Sequence, residues 1–302
     1  MTNDEAKALI EYPIAFAHLL GYNLLEGIHN EWIKTLLWRD ADYTLQAHRD
    51  SYKTTCLIVA VTMAIILRPE LTILLLRKES GSTVEFIRAV KKNISSEIAN
   101  EFSMAVNKKP IQLLKDTQTE IHTNLFADQG SKESQLVADG VRSFAITGKH
   151  FKRIYTDDII TLKDRISNAE RIQTDNIYQE LQNIRTKGGV ILNTGTPWHK
   201  QDTFRLMPKP EIFTIYDTGL FDEEGILKKK QSMTASLFSA NYELKHVADE
   251  DCLFPNPKYE KYPYVDGIAH IDASYGGADT TALTIMCKHD GKLYAFGKVW
   301  PT

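Results

Sequence analysis

The chain has 302 residues, 43% of them apolar and 25% charged, with a formal net charge of −3: one large or two ordinary domains of a soluble globular protein, with no global basic field, so any contact with DNA must be a local patch. Cys56, Cys252 and Cys287 show no paired or metal-ligand spacing, which excludes a disulfide framework and fits a reducing cytosol. The acidic start MTNDEAKALIEY lacks a signal-peptide pattern, and the run CLIVAVTMAIIL is shorter than the ~20 residues that span a bilayer, so a buried helix is expected there and no membrane.

Residues 4 to 38 have helix-like apolar spacing, with Leu9, Ile10, Ile14, Phe16 and Leu19 first and Trp32, Leu36 and Leu37 later. Tyr43 to Ala47 reads as a strand, and Thr54 to Leu67 as a helix buried on most sides and stopped at Arg68-Pro69. Leu71 to Leu76 is a continuous apolar strand of the kind covered on both faces. Gly81-Ser82-Thr83 then opens a helix over Val84 to Asn100. Arg153 to Thr156 is a strand ending in Asp157-Asp158, residues 161 to 186 a charged helix, and Gly189 to Leu192 a strand ending in Asn193-Thr194-Gly195-Thr196. This alternation predicts an α/β fold with a mainly parallel sheet flanked by helices, and ligands bind at the C-terminal strand ends of such sheets. Residues 251 to 264 hold three prolines and read as a linker. Strands follow over 267 to 273, 281 to 288 and 293 to 299, with a hairpin turn at His289 to Lys292.

Three elements carry chemistry. In QAHRDSYKTTCLIVA, Lys53-Thr54 stands between a strand and a helix, where a phosphate-binding loop would lie, but Ala47 and Tyr52 occupy its two glycine positions. Losing glycine restricts φ without removing N–H donors, so Tyr52 must adopt an allowed geometry or strain the loop. The plain alternative is a strand-to-helix turn with a solvated lysine. Arg49, four positions earlier, adds a second cation. At the second element Asp157 would hold Mg²⁺ and Asp158, one methylene shorter than the usual Glu, would activate a water; a helix N-cap is the alternative. At the third, Asn193 to Trp198 would sense a terminal phosphate, or form an ordinary turn. The three in this order favour an ATPase.

These residues resemble the large subunit of tailed-bacteriophage terminase. HNEWIKTLL is similar to the segment before its nucleotide loop and HRDSYKTT to its deviant Walker A. SFAITGKHFKRIYTDDI is similar to the stretch into Walker B, LNTGTPW to the coupling motif, SMTASLFSANYEL to the end of the ATPase region, and IAHIDASYGGADTTALTIM to the opening of its RNase H-like nuclease domain. The resemblance implies an ASCE-type P-loop ATPase over 1–250, a linker over 251–264 and an incomplete RNase H-like domain over 265–302. Nucleotide contacts would come from His48, Arg49, Asp50, Ser51, Tyr52, Lys53, Thr54 and Thr55, with Trp32 stacking on the base or packing in the core. Arg49, Lys53 and Asp158 would be catalytic, Thr54 and Asp157 would hold Mg²⁺, and Thr194, Gly195 and Thr196 would couple hydrolysis to movement. Asp272 matches the first nuclease metal ligand (Mg²⁺ or Mn²⁺), and Asp279 would assist or form a turn. The other carboxylates are expected beyond residue 302, so this chain is expected not to cut DNA.

The implied substrates and partners are ATP, double-stranded DNA, the terminase small subunit, the portal protein and copies of the same chain in a ring, in the cytoplasm of a bacterial host. Thr147-Gly148 stands where the family carries an arginine finger, leaving Lys149 or Arg142 as substitutes. Competing readings are a helicase-like ATPase, which should carry a second motor lobe, and a non-catalytic truncated chain that binds DNA or partners. His150 and His199 read as surface polar groups, and Lys91-Lys92 and Lys228 to Lys230 as solvated faces or DNA contacts.

Overall fold

The computed structural model describes residues 1–130, 133–143, 148–245, 266–273 and 280–301. Contacts divide the chain into Met1–Asp249 and Glu250–Thr302.

The first unit begins with three helices, α1 (Asn3–Glu11), α2 (Pro13–Leu19) and α3 (Ile28–Trp38). The long helical stretch is broken because Pro13 opens α2 at its first turn and Gly21 takes a positive φ of 88° after it. Strand β1 (Tyr43–Ala47) leads into α4 (Lys53–Leu67), and β2 (Ile73–Arg77) into α5 (Ser80–Ile94) and α6 (Glu97–Asn107). The single helix expected over 84–100 is therefore two: Ser96 turns extended and its hydroxyl accepts from the Ala99 N–H at 3.1 Å, an N-cap that starts a new helix. Next come β3 (Leu113–Asp116), β4 (Glu120–Thr123), β5 (Leu136–Gly140) and β6 (Phe151–Asp157). The helix expected over 161–186 is divided the same way into α7 (Leu162–Ile166) and α8 (Asn168–Ile184), with Ser167 accepting from Glu170 N–H at 3.3 Å. Then β7 (Arg185–Gly195), β8 (Glu211–Phe213), α9 (Glu223–Gln231) and the short α10 (Ala235–Phe238) complete the unit.

The sheet order is β3-β4-β5-β2-β6-β7-β1-β8. Strands β5 through β8 of that order pair in parallel, while β3 and β4 add an antiparallel edge. Helices cover both faces, and strand side chains alternate between two cores. Ile73, Leu75, Tyr155 and Leu192 join the core under α3, α4 and α5, whereas Leu74, Leu76, Ile154 and Ile191 join the one under α8. That double coverage explains why β2 reads as an unbroken apolar run. Arg153 is fully buried behind the sheet, where its guanidinium donates to the carbonyls of Leu36, Leu37 and Arg39 at 2.7–3.0 Å and so closes the C-terminus of α3.

In the second unit β9 (Ile268–Asp272), β10 (Thr280–His289) and β11 (Lys292–Pro301) form an antiparallel sheet in the order β11-β10-β9. Asp290 and Gly291 have φ of 48° and 73°, as a two-residue hairpin turn requires. The proline-rich 251–264 stretch and Asp279 lie outside the described residues.

Candidate functional site

Strand β7 lies between β1 and β6. The polar ends of these three strands, Ala47 onward, Asp157-Asp158 and Asn193 to Thr196, therefore meet at one edge of the sheet. A cleft of about 430 Å³ opens there, lined by Arg49, Asp50, Ser51, Tyr52, Lys53, Thr54 and Asp158.

The loop from β1 to α4 solves its lack of glycine with strain. Asp50 and Tyr52 both take left-handed backbone conformations, at φ 66° and 61°, and Tyr52 is the N-cap of α4. Aspartate tolerates this region; an aromatic residue pays about 1 kcal/mol or more for it. Neighbours hold the loop: Thr196 Oγ1 donates to Ala47 O at 2.9 Å, and His29 Nε2 donates to Ser51 O at 3.1 Å. The His29 tautomer follows from its other nitrogen, which accepts the Leu25 N–H at 2.8 Å. Burial pushes the His29 pKa down, so the ring stays neutral and keeps this polarity.

Three residues expected at the nucleotide do not face the cleft. His48 is fully buried; Nδ1 donates to Arg49 O at 2.6 Å and Nε2 accepts from Thr218 at 2.8 Å. Its N–H and that of Arg49 are also taken, by Phe213 O at 3.1 Å and Asn241 O at 2.9 Å. These contacts shorten the stretch whose N–H groups could hold an anion to Asp50 and the first turn of α4, whose N–H groups have no intrahelical acceptor. Thr55 does not line the cleft. Trp32 is a core residue, 2% exposed, with its ring edge-on to His29 and Phe213, and so has no free face for a base.

Opposite the loop, the two aspartates take different partners. Lys53 Nζ lies 3.3 Å from Asp158 Oδ1, and Lys53 is only 7% exposed. Thr54 Oγ1 donates to Asp157 at 3.0 Å. Asp157 is fully buried and also receives the Thr194 hydroxyl at 2.7 Å and the Arg77 guanidinium, with Nε at 3.0 Å. Burial and the neighbouring Asp158 charge raise its pKa, against the pull of Arg77, Lys53 and Thr194. Asp158 has a left-handed backbone at φ 47° and its N–H donates to Thr194 O at 3.0 Å. Packing at Gly195 is tight: a Cβ there would stand 3.0 Å from the Phe204 ring, which would have to shift to admit it. Thus Thr194 touches the Asp157 carboxylate and the Asp158 N–H, and Thr196 the start of the loop, within one strand end.

Arg77 and His29 escaped the sequence reading. Arg77 ends a strand that reads only as apolar, and the cross-strand register Arg77↔Asp157 exists only once the sheet forms. His150 and His199 do not line the cleft. Thr147 lies outside the described residues, while Arg142 pairs with Glu170 and Glu79 and Lys149 with Glu120 at 3.1 Å. In the second unit Asp272 is exposed at the end of β9. Among the described residues no group of three His, Cys, Asp or Glu side chains could hold a metal.

No family model matches the sequence, and no curated protein matches it. Among solved structures, the large terminase of bacteriophage HK97 aligns over 100% of this chain and 68% of its own, at 12% identity and a TM-score of 0.50. The chain has the fold of a bacteriophage large terminase. The ATPase domain of the Thermus phage P74-26 large terminase aligns over 76% of this chain and 96% of its own, at 13% identity and a TM-score of 0.48. In this terminase fold the cleft described above lies at the C-terminal strand ends, as ligand sites of open α/β sheets do. No helix among the described residues is long and apolar enough to cross a membrane.

Proposed function

We propose that the chain belongs to the large-terminase family and is an ATP-hydrolysing motor that moves double-stranded DNA into a procapsid. One observation carries the reading: Lys53-Thr54, at the start of α4, face Asp158 and Asp157, a hundred residues away in sequence, across one cleft. Residue chemistry then assigns the roles. The loop N–H groups, Arg49 and Lys53 would bind the triphosphate, and Lys53 would neutralise the transferred phosphate. Entry of that phosphate would draw Lys53 from Asp158, freeing this carboxylate to accept a proton from the attacking water.

The donors fit magnesium. Thr54 and Asp157 offer hard oxygens side by side, and the buried Asp157 charge gathers cations and hydroxyls around itself. Such an ion would be held by one or two protein oxygens and the substrate phosphates. When bound, the ion would offset charge on the phosphate oxygens. Asn193 is hydrogen-bonded to Thr156 at 2.8 Å and to Tyr43 O at 3.0 Å, so Thr194 to Thr196 would transmit a change at Asp157 to β1 and its loop.

For the second unit, the antiparallel order β11-β10-β9 with Asp272 at the end of β9 supports the opening of an RNase H-like nuclease domain. The small subunit, the portal, a ring of like chains and the host cytoplasm belong to the same proposal.

Phosphate release from ATP, with and without double-stranded DNA, tests it. Turnover is expected in the chain and a loss of about a hundredfold or more in Asp158→Asn. Equal background rates in both would end the ATPase reading.

A further inference from the structure

The segment after β8 folds back over the strained loop. Phe213 O and Asn241 O take the His48 and Arg49 N–H groups, and Thr218 holds the His48 ring. Lys229, on α9, reaches Asp50 Oδ2 at 2.8 Å, and the Tyr242 hydroxyl donates to the same oxygen at 3.0 Å. Lys229 also lies over the rings of Phe221 and Tyr242, at 5.6 and 5.4 Å. This segment has its own small apolar cluster of Ile215, Phe238 and Tyr242, distinct from both cores of the sheet. From Thr214 on it forms a small packed element of its own, which meets the loop through these polar contacts and through the Phe221 and Tyr242 rings beside His48.

Two features of Asp50 need explaining. Its backbone is left-handed, and its carboxylate lines a cleft meant for a polyanion. We infer that residues 213–244 act as a strap that does for this loop what glycine does elsewhere: Lys229 and Tyr242 hold Asp50 in the left-handed conformation and cancel its charge, making Lys229 a positioning residue for phosphate binding. Although burial pushes the Asp50 pKa up, the hydrogen bonds from Lys229 and Tyr242 outweigh it and keep the carboxylate ionised. The Lys228 to Lys230 run thus has one member committed to the loop, while Lys228 pairs with Glu224 at 2.6 Å on its own helix. The inference rests on the proposed nucleotide site for its consequence, but the strap itself exists without nucleotide.

The test uses the full chain with Lys229→Ala, Lys229→Arg, Asp50→Gly and the double variant Lys229→Ala/Asp50→Gly. Two quantities are read: hydrogen exchange of loop amides 48–53 without nucleotide, and Mg·ADP affinity. Lys229→Ala is expected to speed loop exchange and to raise the Kd about tenfold, the order that one lost charge-assisted hydrogen bond allows. Lys229→Arg restores both. In the Asp50→Gly background, where glycine supplies the conformation and no charge remains, Lys229→Ala changes the Kd by less than about twofold. Loop exchange indifferent to Lys229→Ala overturns the strap. So does an equal loss of affinity in both backgrounds, which would make Lys229 a direct nucleotide contact. Exchange that responds as expected in a chain that never binds Mg·ADP would keep the strap and sink the proposed nucleotide site instead.

Discussion

Arg77 and Asp157 are cross-strand partners on β2 and β6, and the guanidinium Nε lies 3.0 Å from the buried carboxylate. The contact is an ion pair with poor hydrogen-bond geometry at Nε, which lacks a well-aligned acceptor, while NH1 donates to Ser82 O at 2.9 Å. Arg77 therefore supplies charge to Asp157 and is anchored elsewhere. Removing one partner of a buried pair exposes the desolvation cost of the other, so Arg77→Gln should destabilise the chain by about 3 kcal/mol. Denaturant unfolding measures it, and an unchanged midpoint would show that the Thr54 and Thr194 hydroxyls suffice.

The raised pKa of Asp157 sets a pH dependence. A carboxylate whose folded pKa exceeds its unfolded value of about 3.9 binds more protons in the folded state between those two values, so stability falls as pH rises through that window. Asp157→Asn mimics the protonated side chain. It should be more stable than the parent at pH 7, converge with it in acid below about pH 4, and lose the proposed Mg·nucleotide binding. Thermal unfolding across pH checks this; a variant less stable than the parent at pH 7 would mean that Arg77 and Lys53 more than repay the burial.

At Tyr52 the backbone angle, rather than the ring, decides the effect of substitution. A β-branched residue is a strong outlier at φ 61°, so Tyr52→Val should cost about 2 kcal/mol. Tyr52→Gly relieves the strain but loses the edge contact with His29, whose centroid is 5.9 Å away, and should fall within about 1 kcal/mol of the parent. Unfolding free energies of the two variants in the reverse order would remove strain from the account of this loop.

Arg153 should matter for stability alone. Arg153→Met leaves the carbonyls of Leu36, Leu37 and Arg39 without their donor and should cost about 3 kcal/mol or more. Under conditions where the variant remains folded, its nucleotide affinity should match the parent's, because Arg153 does not line the cleft. A folded variant with impaired binding would contradict this.

The parallel sheet and its polar strand ends are legible because apolar stretches in β1, β2, β6 and β7 run into polar residues, at His48-Arg49, Arg77, Asp157-Asp158 and Asn193-Thr194. The splits at Ser96 and Ser167 are not, since a serine N-cap inside a helical pattern announces itself only through ψ. Strands β3, β4 and β5 are not legible, because segments such as LLKD and EIHT are short and mixed in polarity. Lys53, Thr54, Asp157 and Asp158 could be named from local pattern. Arg77, His29, Lys229 and Tyr242 could not, because each reaches the site through strand register or a long return of the chain. The same long-range packing turns His48 inward, against the local expectation, and places Trp32 in the core, one of its two expected places.

The convergence of Lys53 with the aspartate pair is tested most directly by equilibrium binding of a fluorescent Mg·ADP analogue to the chain and to Lys53→Ala. A specific, competable site is expected in the parent, weakened about a hundredfold by loss of the lysine that meets the phosphates. Equal affinity in both proteins would contradict the account.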